Sequence, residues 1–220
     1  MSRQQIINDI TASLRAIAPN IPVLSSATRT DKIYEIFILS CVVRALNSLG
    51  AQLEARDSND NSTSTLIFRL GPGLIYNPAS TPGFIYINYQ GREYELQNSI
   101  RVLGHSNVLH ELDVCIISRA EAVNCRRNQI DPKQAQVKLL LECKFYGATL
   151  PLNLGREYLG LGTEFSLRIK TMVSNQASDE IHALITKHRG TENFNISTVN
   201  PTNVDMFIQW LANELRQVLI

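Results

Sequence analysis

The chain has 220 residues, 21 Lys and Arg against 20 Asp and Glu, and an apolar fraction of 44%. That length and composition suit one sizeable globular domain, or one domain with an appended element, and the near-neutral balance neither demands nor excludes a nucleic-acid partner. No apolar run is long enough to span a bilayer and Met1 to Asn20 has no signal-peptide pattern, so a cytoplasmic protein with no membrane partner is expected.

In chain order, Ser2 to Ile17 reads as an amphipathic helix with Ile6, Ile7, Ile10, Leu14 and Ile17 on one stripe. Pro19 and Pro22 end it. Thr30 or Asp31 is positioned to cap a second helix that runs to about Leu49 and closes at Gly50. This helix is apolar almost all round, which places it inside the domain, and Glu35 sits in that apolar surface. Ala51 to Arg56 and Thr65 to Leu70 read as strands on either side of the polar loop Asp57 to Ser62. Gly71 to Gly83, rich in Gly and Pro, reads as a loop. Phe84 to Tyr89 and Glu93 to Gln97 flank Gln90-Gly91-Arg92 as a hairpin. Val108 to Ser118 is a strand, Ala120 to Gln136 a polar loop or excursion, and Val137 to Tyr146 a strand of nearly unbroken apolar character. Beyond it, Leu154 to Leu167 reads as a helix, Ile169 to Ser174 as a strand and Asp179 to His188 as a helix. Phe194 to Thr198 follows as a strand and Val204 to Leu219 as a last helix. Strands alternating with helices in this half predict a mixed sheet with helices on its faces. The four cysteines, Cys41, Cys115, Cys125 and Cys143, form no CxxC pair and no zinc-ligand spacing, so buried free thiols are expected.

The apolar strand "KLLLECK" ends in Glu142, Cys143 and Lys144. Strand residues two apart share a face, so Glu142 and Lys144 point one way and Cys143 the other. The same rule puts Glu111 and Asp113 on one face of "HELDVCIIS", with His110, Leu112, Val114 and Ile116 opposite. If the two strands are neighbours, Asp113, Glu142 and Lys144 converge. Two carboxylates held together repel one another, and a divalent cation relieves that repulsion.

An Asp on one strand, Glu-x-Lys at the end of a following apolar strand and a Glu on a preceding helix resemble the PD-(D/E)XK nuclease superfamily. The branch with Mrr-type restriction enzymes and Holliday-junction resolvases is the nearest. The resemblance covers the order of elements from Asp31 to Leu219. Leu112 stands where the motif has proline. The resemblance implies an α/β fold with a restriction-endonuclease-like core, a central mixed sheet flanked by helices. It further implies one domain over 1–220, with 1–30 as an N-terminal helical extension and 71–103 as an inserted β-hairpin section. It implies a Mg2+ ion, with Mn2+ as substitute, held by Asp113, Glu142 and the backbone carbonyl of Cys143, with Glu35 completing the shell or binding a second metal. Lys144 is then the catalytic lysine, DNA the substrate, and a second copy or a partner protein the source of specificity. Restriction, antiphage defence and mobile-element processing are the settings the resemblance suggests.

The residues leave other readings open. Glu-x-Lys alone is equally an ion pair on a sheet edge. Glu35 reads as a site acid or as a partner of Lys32 or Arg44. Arg126, Arg127 and Lys133 make the excursion after Ser118 basic, suited to phosphate contact or to simple solvation, and Arg156 opens the next helix with the same two readings. Beside the nuclease stand a nucleic-acid-binding or assembly subunit on the same fold with little catalysis, and an unrelated interaction domain.

Overall fold

A computed structural model describes residues 2–22, 24, 28–76 and 82–219 of the chain. Parts of the expected N-terminal extension (23 and 25–27) and of the Gly/Pro-rich segment (77–81) lie outside the described residues. Helix α1 (Arg3–Leu14) starts at a capping box, in which the Ser2 hydroxyl accepts the Gln5 N–H at 3.3 Å and the Gln5 side chain returns to Ser2 N–H. Ile6, Ile10 and Leu14 bury its apolar stripe against α2 (Thr30–Ser48). Neither Thr30 nor Asp31 caps α2. Arg29 is the N-cap residue and makes no side-chain cap bond, while Asp31 lies in the first turn and pairs with Arg29 at 2.7 Å. Gly50, at φ +75°, provides the left-handed residue past the helix end.

Seven strands form one mixed sheet in chain order: β1 (Gln52–Arg56), β2 (Phe84–Tyr89), β3 (Arg92–Leu103), β4 (Leu109–Ser118), β5 (Val137–Lys144), β6 (Ile169–Ser174) and β7 (Glu192–Asn193). The first five pair antiparallel, and β5, β6 and β7 pair parallel. Gln90 and Gly91 join β2 to β3 with φ of 51° and 80°, the positive pair that a two-residue hairpin loop needs. The hairpin section thus supplies the second and third strands of the sheet, and β3 lies beside β4.

Helices cover both faces. On one side, α1, α2 and α6 (Pro201–Val218) bury Phe37, Leu46, Phe207 and Leu211 against Val114, Leu139, Leu141 and Val173. On the other, α3 (Arg119–Asn128) packs over Cys115, Ile117 and Leu140. There too α4 (Leu152–Glu164) and α5 (Asp179–Lys187) pack over Met172. Gly155 permits the close approach of α4 to α5, since a Cβ there would lie 3.1 Å from Ile181 and 3.2 Å from Leu184. Among the described residues no helix is long and apolar enough to cross a membrane, and all four cysteines are buried free thiols.

Three expected elements also change. Thr65 to Leu70 forms no strand. It buries Leu66 and Phe68 but takes its backbone partners from Asn20, from Gly83 and from the Asn98 side chain, which bonds both Arg69 N–H (3.1 Å) and Arg69 C=O (2.8 Å). The polar excursion after Ser118 begins as α3, capped by the Ser118 hydroxyl. Only Arg119, Ala122 and Cys125 of α3 are buried, too sparse a stripe to stand out in the sequence. Phe194 to Thr198 is not a strand, because Asn195 at φ +58° turns the chain just after the two-residue β7.

Candidate active site

The pairing of β4 with β5 runs from Ile117 and Val137 to Val114 and Leu141, and one further step places Asp113 opposite Glu142. There the ladder opens. Instead of a backbone carbonyl, Asp113 Oδ2 accepts the Cys143 N–H at 2.8 Å. In a strand the N–H and C=O of one residue point to the same edge, so the Cys143 carbonyl also faces this opening. The sequence therefore ends an apolar strand in charge at the point where two strands part.

Strict alternation of faces fails here. Val114 and Ile116 enter the core under α2, as expected, but Leu112 joins the opposite core with Cys115 and Ile117. The neighbouring strand switches at the same level: Leu96 lies under α2, whereas Ile100 and Val102 lie on the other side, and Ser99 between them has φ +47°. This irregularity turns Ser99 toward α2, where its hydroxyl donates to Glu35 Oε2 at 3.1 Å. Asp113 opens into the same cavity of about 600 Å³ as Glu35, beside Lys144, Tyr146 and Leu154. The Asn175 side chain clamps Tyr146 through both backbone groups at 2.8 Å.

Charge dominates the site. Burial, the neighbouring charge of Glu142 and that of Glu35 push the Asp113 carboxyl well above the usual range, against the opposing Lys144 and the Cys143 N–H. Burial also raises Glu35, to about 7, although Lys32 and Ser99 donate to it. Lys144 Nζ donates to Glu142 Oε1 at 2.6 Å. Burial alone would lower the Lys144 pKa, but Glu142 and Asp113 outweigh it and hold the ammonium above the ordinary lysine range. Of the two partners open to Glu35 in the sequence, Lys32 is the one used, at 2.8 and 3.1 Å, while Arg44 pairs with Asp205. Glu111 also faces Lys32, at 3.6 Å. His110 lies on the edge of Phe165, at 5.8 Å between ring centres.

The basic residues lie elsewhere. Arg126 donates to the fully buried Glu95 at 2.9 Å and stacks over Phe84, so its charge is already matched. With Arg127 it lines a second cavity of about 400 Å³ beside α3, on the sheet face opposite α2. Lys133 and Arg156 are exposed and do not line the cavity beside Asp113. Ser99 and Asn175 are not apparent in the sequence, since no local pattern marks a serine in a strand as a site residue.

No family model, curated protein or solved structure matches the chain.

Among the described residues, no three His, Cys, Asp or Glu side chains are grouped to hold a metal ion by themselves. Asp113 and Cys143 line the cavity while Glu142 lies beside it, paired with Lys144, and oxygen donors of this kind suit a hard divalent ion that retains several waters. Burial does most to raise Asp113 and Glu35 and neighbouring acids add to it, and a divalent cation beside them would favour their charged forms.

Proposed function

We propose that the chain is a metal-dependent phosphodiesterase that cuts DNA, the activity implied by the PD-(D/E)XK resemblance. The observation that supports it most is the opening of the β4–β5 ladder at Asp113 and Glu142, with Lys144 beside them and the Glu35 cavity in front. DNA as the substrate rests on the resemblance.

In this reading Asp113, Glu142 and the Cys143 carbonyl hold Mg2+ or Mn2+, which supplies an acidified water and a polarised phosphoryl oxygen. Asp113 is fixed for that role by the Cys143 N–H, which occupies one carboxylate oxygen and leaves the other for the ion. Lys144 stays cationic in its half-buried setting, so it offers a positive hydrogen-bond donor where negative charge develops on the phosphate. Glu35, fixed by Lys32 and Ser99, orients water at the far side of the cavity.

Asp113→Asn is the sharpest test, because asparagine retains an acceptor for the Cys143 N–H while removing the charge. The variant is expected to fold as the wild type does, to lose Mn2+ binding in titration calorimetry and to lose plasmid cleavage. Equal Mn2+ binding by both proteins would remove the proposed site. Wild-type DNA binding with metal but without turnover would make the chain a binding or assembly subunit instead.

A further inference from the structure

We propose that Lys32 is a built-in counter-cation of this site and limits it to one divalent ion. The proposal rests on the reading of Asp113 and Glu142 as metal ligands and adds the capacity of that centre. Lys32 precedes Glu35 by one helical turn, so α2 itself lays the ammonium on the carboxylate, with Nζ 2.8 and 3.1 Å from its two oxygens. The same Nζ lies 3.6 Å from Glu111 Oε1 on β4, a buried oxygen that accepts no hydrogen bond among the described residues. Its side chain is only 14% exposed, so this is not a solvated surface pair. A cation thus stands between an acid from the helix and an acid from the strand, the place a second divalent ion would take.

Charge gives the same answer. The cluster, with Glu35 and Asp113 buried at its centre, brings together Glu35, Glu111, Asp113 and Glu142 with Lys32 and Lys144. With every group ionised, four negative charges meet two positive ones, and the remaining two match one divalent ion. Without Lys32 three remain, and Glu35 and Glu111 face each other with nothing between them. Ser99 adds rigidity. Its hydroxyl reaches Glu35 from a buried residue in left-handed backbone, a conformation a serine keeps only where its surroundings hold it. Lys32 is therefore a positioning residue, acting through Glu35.

An ordinary helix ion pair would change stability when broken, but not the number of ions bound. Titration calorimetry with Mn2+ on the full chain, beside Lys32→Met, Lys32→Gln and Lys32→Arg, separates the two. One ion per chain is expected for wild type and Lys32→Arg, and two for the uncharged variants. Adding Glu111→Gln to either uncharged variant should return the count to one. Manganese resonance spectra should show coupling between neighbouring ions only in the two-ion variants. Lys32→Gln serves if Lys32→Met fails to fold, and melting curves establish which variants are folded. One ion in a folded uncharged variant, or two in wild type, overturns the proposal. If wild type binds none and the uncharged variants bind one, the role of Lys32 stands while the Asp113–Glu142 centre falls. No binding by any of the proteins overturns both.

Discussion

Replacing Glu35 by Gln retains its size and polar contacts and removes its charge. Burial raises the Glu35 carboxyl from the usual 4.5 to about 7, with Lys32 and Ser99 opposing the rise. A group raised on folding contributes its full stability below its unfolded value and loses it as the pH climbs through the folded one. The penalty of ionised Glu35 therefore begins to grow near pH 4.5 and is fully developed above pH 7. Each pH unit between those values is worth about 1.4 kcal/mol, so above neutrality the charged carboxylate costs the metal-free fold roughly 3 kcal/mol. Glutamine escapes that penalty. Thermal melts in chelator should find Glu35→Gln and wild type nearly equal at pH 4.5, and the variant higher at pH 8.5 by about 6–12 °C for a chain of this size. Magnesium should narrow the gap at pH 8.5, because a cation nearby favours the charged form, and plasmid cleavage should fall. A difference in melting temperature that is the same at both pH values would refute the burial argument. A variant that melts lower throughout and cleaves normally would make Glu35 a structural partner of Lys32.

Three further outcomes follow from the geometry. If Lys144 acts on the phosphate as proposed, Lys144→Ala should retain Mn2+ binding and lose about 10²-fold or more in turnover; wild-type cleavage rates would leave it only the ion-pair partner of Glu142. Glu95→Gln should lower stability by about 3–5 kcal/mol in urea unfolding, because Arg126 would lose its carboxylate and Arg119 would keep only Asp60. A shift below about 1 kcal/mol would show that those guanidinium groups find water. Neutralising Arg127 and Lys133 together should reduce the slope of log affinity against log salt for DNA by up to about 2 if both touch phosphate, and an unchanged slope would return them to solvent.

Much of this arrangement was legible in the sequence because it follows from period and punctuation. The stripes of α1 and α6, the Gln90-Gly91 turn and the run from Val137 to Lys144 each obey a local rule, and the structure places them within a residue or two of expectation, except that α1 ends and α6 begins three residues early. The neighbourhood of Asp113 and Glu142 was legible too, as two strands joined by a long excursion. What escaped depends on distant partners. Thr65 to Leu70 has the composition of a strand, but its hydrogen bonds go to Asn20 and Asn98, which no local pattern announces. The face switch at Ser99 and Leu112 breaks the alternation on which the strand argument stood, and only the packing of α2 over that point reveals it. Arg126 read as a free cation because the buried acid that binds it, Glu95, is 31 residues away.

The chain-order sheet has a consequence for synthesis. Every strand pairs with its predecessor, so each hairpin or crossover can dock as it leaves the ribosome, without waiting for distant sequence. The layer under α2 is different. The Tyr34 hydroxyl donates to the Ile196 carbonyl at 3.0 Å, 162 residues away, and Phe207 and Leu211 complete the cover over that helix. Until α6 has emerged, a nearly finished sheet therefore carries α2 with part of its apolar surface in water. In that interval the nascent chain is most exposed to chaperones and to aggregation. The cover over α2, the helix that carries Glu35, is complete only when the last helix packs against it.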